Sequence, residues 1–424
     1  MANNGPINDR EMKKRQLQSR MISNPELRNE QKKDSDKIVK TIHKKILKKR
    51  LTVILILLIL VGAALFGVYE YQRHYQYTGY TVGWEKHLDR GESSFTGYMN
   101  FGSNLLKYTK DGAAYVDADG KDVWIQSYEM KSPIAAVSGD YAAIADQQGN
   151  SIYICDKTGN QGVATTLLPI LKVSISDKGV VAAVLEDQKA NYITLFRKDG
   201  TPLDITIKGL LDGEVGYPLD IALSPDGTQL MGSYVYIGNG ALKNRVAFHN
   251  FSEVGKNIPN RLVGGYDDPY EGSMVARVVF LDETYSCAFA DHSLSFFSSK
   301  NVMSPELLVQ IPVEEEIRSI FHSPDYVGII VSATAGEFDY RMDLYEKDGT
   351  KVFSQEFSYD YLKADIDGDN ILLYNEDSCR VYSMWGTLKF EGTFDFVVSK
   401  ITSGTFFNNL IVTGPQTMKE IKLQ

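Results

Sequence analysis

Residues 170–200 read ILKVSISDKGVVAAVLEDQKANYITLFRKDG. Three runs, ILKVSISD, VVAAVLED and NYITLFRK, are rich in Val, Ile, Leu and aromatic side chains, and short Asp, Gly, Lys and Gln segments separate them. Apolar runs of that length between turn residues read as β-strands. The same texture starts at about residue 80 and runs to the end, with a turn signal every 8–12 residues and no helical run. The fold class is all-β.

The turns repeat. A short Gly/Asp/Ser turn follows an apolar run at residues 102, 139, 178, 226, 283, 325, 368 and 404, a mean spacing of about 43 residues. A second series comes later in each unit, at Asp119-Gly120, Lys157-Thr158-Gly159, Lys198-Asp199-Gly200, Lys347-Asp348-Gly349 and Trp385-Gly386, and is weaker near 255 and 301. A period of about 40–45 residues with four strands per unit is the signature of a β-propeller. Eight blades are predicted, with seven as the alternative. The last unit supplies three strands, near 395–402, 406–413 and 417–423. Its fourth is expected from residues 80–87, YTVGWEKH, which closes the ring and hides both sheet edges. Segments 236–243 and 252–260 are long and mark a small insertion in blade four.

Three motifs carry a resemblance. Ser224-Pro225-Asp226-Gly227 resembles the turn of TolB-type and WD40-like propellers. Asp117-Ala118-Asp119-Gly120-Lys121-Asp122-Val123-Trp124 is similar to the repeat of quinoprotein-type eight-bladed propellers, and Cys155-Asp156-Lys157-Thr158-Gly159 echoes it. The layout of residues 40–424 resembles a bacterial family of membrane-anchored propellers of unknown function. That resemblance implies the fold and is nearly silent about activity. Only Trp84, Trp124 and Trp385 are present, so most blades lack the docking tryptophan of the quinoproteins, and no quinone or other cofactor is expected.

The net charge of -9 conceals two opposed parts. Residues 1–50 hold 15 Lys+Arg against 6 Asp+Glu, and the remainder holds 30 against 48. Between them Leu51–Tyr69, LTVILILLILVGAALFGVY, is 19 residues without a charge. At ~1.5 Å per residue it spans roughly 28 Å, the hydrocarbon thickness of a bilayer. Lys44, Lys45, Lys48, Lys49 and Arg50 abut its N-terminal end, and Arg73 alone lies close to the other. The positive-inside bias orients the N-terminus to the cytoplasm. The expected division is a basic cytoplasmic tail (1–50), a transmembrane helix (51–69) acting as an uncleaved signal-anchor, a linker (70–79) and an extracytoplasmic propeller (80–424). Residues 1–30 read as unstructured, and 31–50 as a helix with Ile38, Ile42 and Ile46 on one face. Topology and anionic headgroups account for the basic cluster, so no nucleic-acid partner is expected.

Candidate sites follow from the repeat geometry. In a propeller blade the first and third turns lie on one face, and the remaining loops lie on the other. With residues 80–87 outermost and a short linker, the turn face is expected toward the membrane, with Lys121, Lys157, Lys178, Lys198 and Lys347 meeting headgroups. The opposite face collects acidic and tyrosine-rich loops. Tyr266, Asp267, Asp268, Tyr270, Glu271, Tyr359, Asp360 and Tyr361 are its candidate partner-binding residues, because Tyr gives rigid amphipathic contact area. Asp365, Asp367, Asp369 and Glu376 stand at positions 1, 3, 5 and 12 of a calcium-loop pattern, but Asn370 replaces the required Gly and the repeat demands a hairpin there, so a plain turn is expected. Cys155, Cys287 and Cys379 lie far apart in strands and read as buried free thiols. The six histidines show no metal-ligand pairing, and no nucleophile elbow or nucleotide fingerprint occurs.

These readings converge on a non-enzymatic binding scaffold or sensor, held by one helix outside the cytoplasmic membrane of a bacterium. Its partner would be an envelope protein or glycan. The alternatives are a carbohydrate-active enzyme using carboxylates in the central channel, and a transmembrane signalling protein.

Overall fold

A computed structural model describes residues 9–23, 25–88, 96–213, 215–333 and 336–424. They fall into two compact units, Met1–Tyr75 and Gln76–Gln424.

The second unit consists of eight four-stranded antiparallel sheets, so eight blades are present. Blades 1 to 7 span residues 96–127, 133–165, 170–209, 217–266, 275–312, 317–357 and 363–393. Blade 8 takes three strands from 400–423 and its fourth from Tyr80–His87. Strands are lettered A to D in the order they pair. The A strands contact their counterparts in neighbouring blades and surround the axis. Each of the eight turns read from the sequence joins an A strand to a B strand, and the second series joins C to D. The 236–243 segment is the tip of an extended B–C hairpin in blade 4, Gln229–Gly238 against Ala241–Asn250.

Position in the blade explains the composition of each strand. B and C strands have a strand on either edge and another blade on either face. Val181–Glu186 and Ser293–Ser298 are accordingly buried almost throughout. D strands have one face in solvent and alternate, as Pro202–Gly209 does. The apolar side chains form a cluster between each pair of successive blades. One example joins Ala143, Ile152 and Ile154 of blade 2 to Val181, Ala183 and Leu185 of blade 3. The cluster between blades 8 and 1 is the smallest, with Leu88, Leu105, Val116, Ile411 and Met418.

The turns are held by their own side chains. In Ser224-Pro225-Asp226-Gly227 the Ser224 hydroxyl donates to Asp226 Oδ1 at 2.6 Å, and so does the Thr228 N–H at 2.9 Å. Burial pushes the Asp226 carboxyl up, but these donors outweigh it and hold the group below its usual range. Gly200 has φ +83°, and a Cβ there would stand 2.3 Å from the Val163 carbonyl oxygen of the preceding blade. Only glycine satisfies both constraints.

The first unit is helical: α1 spans Asp9–Ser23 and α2 spans Pro25–His74. The helical 9–23 departs from the unstructured segment expected. Its Lys, Arg, Gln, Glu and Met residues are strong helix formers, and that propensity prevails over its polarity. The α2 helix contains the apolar run, with a mean hydropathy of 3.0 and no burial of that stretch within the chain. It is long and apolar enough to cross a membrane. Residues 70–79 are not a free linker. The helix continues to His74, and Tyr77 and Thr78 already donate backbone bonds to the Lys389 and Gln424 carbonyls, at 2.7 and 2.8 Å.

Candidate functional site: the loop face and the channel

The B–C loops and the D–A connections emerge on one side of the ring. They expose Glu129, Asp187, Asp212, Asp268, Glu271, Glu314, Glu337, Asp360, Glu376 and Asp377. Among the described residues, the only lysines or arginines in these loops are Lys110, Lys131 and Lys189. Like charges spread over one surface create a field that attracts cationic partners.

The eight candidate partner-binding residues separate into two groups. Tyr270 is 1% exposed and packs with Phe248 and Phe297 between blades 4 and 5. The Tyr266 ring lies against the same two rings, and its hydroxyl donates to the Pro305 carbonyl. Tyr359 donates or accepts at Ser378 Oγ, 3.1 Å, under the Arg380 guanidinium. Tyr361 donates to Ser319 Oγ at 3.0 Å. Tyr270 is therefore core, while Tyr266, Tyr359 and Tyr361 are half-buried, with part of each side chain packed and hydrogen-bonded within the propeller. Asp267 is occupied as well. Arg245 clamps it with two bonds of 2.7 and 3.1 Å, and the Tyr236 hydroxyl adds a third at 2.8 Å. Asp268, Glu271 and Asp360 remain exposed.

A cleft of about 220 Å³ lies beneath the long blade 4 hairpin, lined by Tyr236, Leu242, Lys243, Asp267, Asp268 and Glu271. Leu242 is 60% exposed at its rim. The Asp267–Arg245 clamp braces the hairpin against the connection that carries Asp268 and Glu271. Sequence reading found the acids and missed Tyr236, Arg245 and Leu242. The hairpin's unusual length was the available signal.

On the turn face two of the five expected lysines are in ion pairs. Lys157 pairs with Asp140 at 2.5 Å, and Lys347 with Asp282 and Asp325 at 2.8 and 3.3 Å. Lys198 lies over the Tyr141 ring. All three cysteines are buried and free, and burial pushes the Cys155 thiol up to about 12.

The A strands line a channel with a cavity of about 700 Å³ that reaches the A–B turns. Four A strands carry a β-bulge just before a polar residue: Lys172, Asp220, Arg277 and Ser319. A bulge re-aims the side chain that follows it. Lys172 pairs with Asp220 at 2.8 Å, and Lys400 with Asp365 at 2.9 Å. Asp365 also accepts from the Tyr374 hydroxyl at 2.7 Å, and Asp367 from the Ser403 N–H at 2.5 Å. Burial raises the Asp367 pKa, and the Asn100 side chain turns toward the same carboxyl. Burial lowers His322 to about 4, with Arg277 adding to the effect, so its ring is neutral.

The calcium-pattern residues are dispersed by this geometry. Asp365 and Asp367 lie on the A strand of blade 7, Asp369 is in the A–B turn, and Glu376 follows the B strand Asn370–Tyr374 at the opposite end of the sheet. Among the described residues no group of three or more His, Cys, Asp or Glu is placed to hold a metal ion.

These features define an eight-bladed β-propeller with an acidic loop face, preceded by an apolar helix. The chain belongs to the family of unknown function DUF5711, whose model matches residues 73–423. No curated protein matches it in sequence. Among solved structures it is similar to BamB from Moraxella catarrhalis, at 12% identity and a TM-score of 0.46, covering 81% of this chain and all of that one. It is also similar to the hydrazine synthase of Kuenenia stuttgartiensis, at 14% identity and a TM-score of 0.47, covering 73% of this chain and all of that one. A third is Hsv2 of Kluyveromyces lactis, at 9% identity and a TM-score of 0.46, covering 70% of this chain and 98% of that one. These likenesses concern the fold.

Proposed function

We propose that this protein is a non-enzymatic binding module of the bacterial cell envelope. The apolar part of α2 anchors it in the cytoplasmic membrane, with the basic tail inside and the propeller outside. The loop face docks a basic segment of an envelope partner at the blade 4 cleft. One observation carries the reading: exposed Asp268 and Glu271 border the same cleft as exposed Leu242 of the clamped hairpin. Exposed carboxylates beside an exposed leucine at the cleft rim fit a segment that alternates Lys or Arg with apolar residues. The orientation rests on Lys44, Lys45, Lys48, Lys49 and Arg50 beside the run.

The test is site-specific photocrosslinking in intact cells. A photoreactive residue at Leu242 is expected to give a discrete adduct, and the same residue at Asp119 on the turn face is expected to give none. Equal adducts from both positions, or none from Leu242, contradict the reading.

A further inference from the structure

Among the described residues lining the channel cavity, Arg277 is a cation in no ion pair. Arg277, on the A strand of blade 5, lines the cavity and is exposed to it. The carboxylate on the neighbouring A strand, Asp220, is already engaged through both oxygens. Oδ1 takes Lys172 at 2.8 Å, and Oδ2 takes the Val278 N–H at 2.9 Å. Asp365 is paired with Lys400, and both Lys400 and Tyr374 donate to its Oδ2. Asp177, at the mouth, accepts from Ser138 Oγ at 2.5 Å. His322 stands near Arg277 and is neutral. The Arg277 guanidinium therefore presents its fork of donors to an open cavity, the geometry that recognises a carboxylate or phosphate with two bonds.

Arg277 calls for an anion. Asp365 and Asp367, which share the cavity, repel a second negative charge. The volume of about 700 Å³ lies within the range of small-molecule sites.

We propose that the propeller channel binds a small monocarboxylate, with Arg277 gripping the carboxylate through two bonds. The site is separate from the loop-face cleft and stands independently of the docking reading. Binding needs no chemistry from the chain.

The test uses the full chain in lipid nanodiscs and calorimetric titration with D-glucuronate, D-gluconate and L-serine. D-glucose and D-glucose 6-phosphate are the comparison ligands, lacking the carboxylate or carrying a second charge. At least one of the three monocarboxylates is expected to bind. Arg277→Gln is expected to weaken it at least tenfold, and Arg277→Lys to weaken it less. Arg277→Gln should melt with the wild type, because the side chain has no partner to lose. No binding by any of the three, equal binding by Arg277→Gln, or preference for the phosphate overturns the proposal.

Discussion

Tyr80 pairs with Leu423 across the seam of the ring, in a register that runs to His87 opposite Thr417. This pairing converts the outer edge of the last C strand into the interior of a sheet. It also buries Ile421 and Leu423 against blade 7. Deleting residues 80–87 is expected to abolish cooperative unfolding of the propeller. Ile421→Ala, at a fully buried position, is expected to cost ~2–5 kcal/mol in urea denaturation. Unfolding of the deletion variant at the wild-type midpoint contradicts the seam.

Acid weakens the fold through a buried imidazole. Burial lowers His249, which has no exposed surface, to about 4. His249 accepts or donates at the Tyr234 hydroxyl, 3.0 Å, and at the Asn260 carbonyl, 2.9 Å. Unfolded histidine titrates near 6.5, so between pH 6.5 and 4 the unfolded chain binds more protons. Stability is complete above pH 6.5 and falls as pH drops toward 4, by up to ~3 kcal/mol for this imidazole. Asp367, raised by burial, works in the opposite direction. His249→Gln should flatten the slope of the urea midpoint between pH 7 and 4.5. An unchanged slope contradicts the assignment.

Two neighbouring ion pairs should differ sharply. Arg341 binds Glu315 through both of its terminal nitrogens and Asp343 at 3.2 Å, and Asp343 is 2% exposed. Arg341→Met removes a main counter-ion of a buried carboxylate, and a loss of ~2–4 kcal/mol is expected. Arg318 and Glu316 are 48% and 68% exposed, and Arg318→Met should change stability by less than ~0.5 kcal/mol. Chemical denaturation of the two variants tests the contrast, which equal losses would remove.

Topology is testable with the chain's own background. The native thiols are buried, and burial raises their pKa, so they should resist maleimide. In intact cells Asp268→Cys is expected to react with a membrane-impermeant maleimide, and Asp36→Cys only after lysis. The reverse pattern contradicts the orientation.

Much of the fold was legible because turns in a propeller are chemically stereotyped. Ser224-Pro225-Asp226-Gly227 shows its turn through the side chains that hold it, and the spacing of such turns gave the blade count. The closing strand was legible because 417–423 otherwise has a partner on one edge only. Tyr270 misled, since sequence does not show whether it points into a loop or into the core between two blades. The channel was obscure for another reason. Lys172, Asp220 and Arg277 each appear as a lone charge in an apolar strand, and the bulge that turns them inward leaves no mark in composition. Asp267 looked like a free acid because its partner Arg245 is 22 residues away, across a hairpin.

The central claim is that the acidic loop face is where a partner docks. The most direct measurement is affinity capture from membrane and wall extracts by the full chain in nanodiscs. Three forms are compared: wild type, Asp268→Lys/Glu271→Lys, and a turn-face control, Asp119→Lys/Asp199→Lys. A partner retained by the wild type and the control, lost from the loop-face variant and released by moderate salt is the predicted result. Equal retention by all three forms, or loss in the control alone, contradicts it.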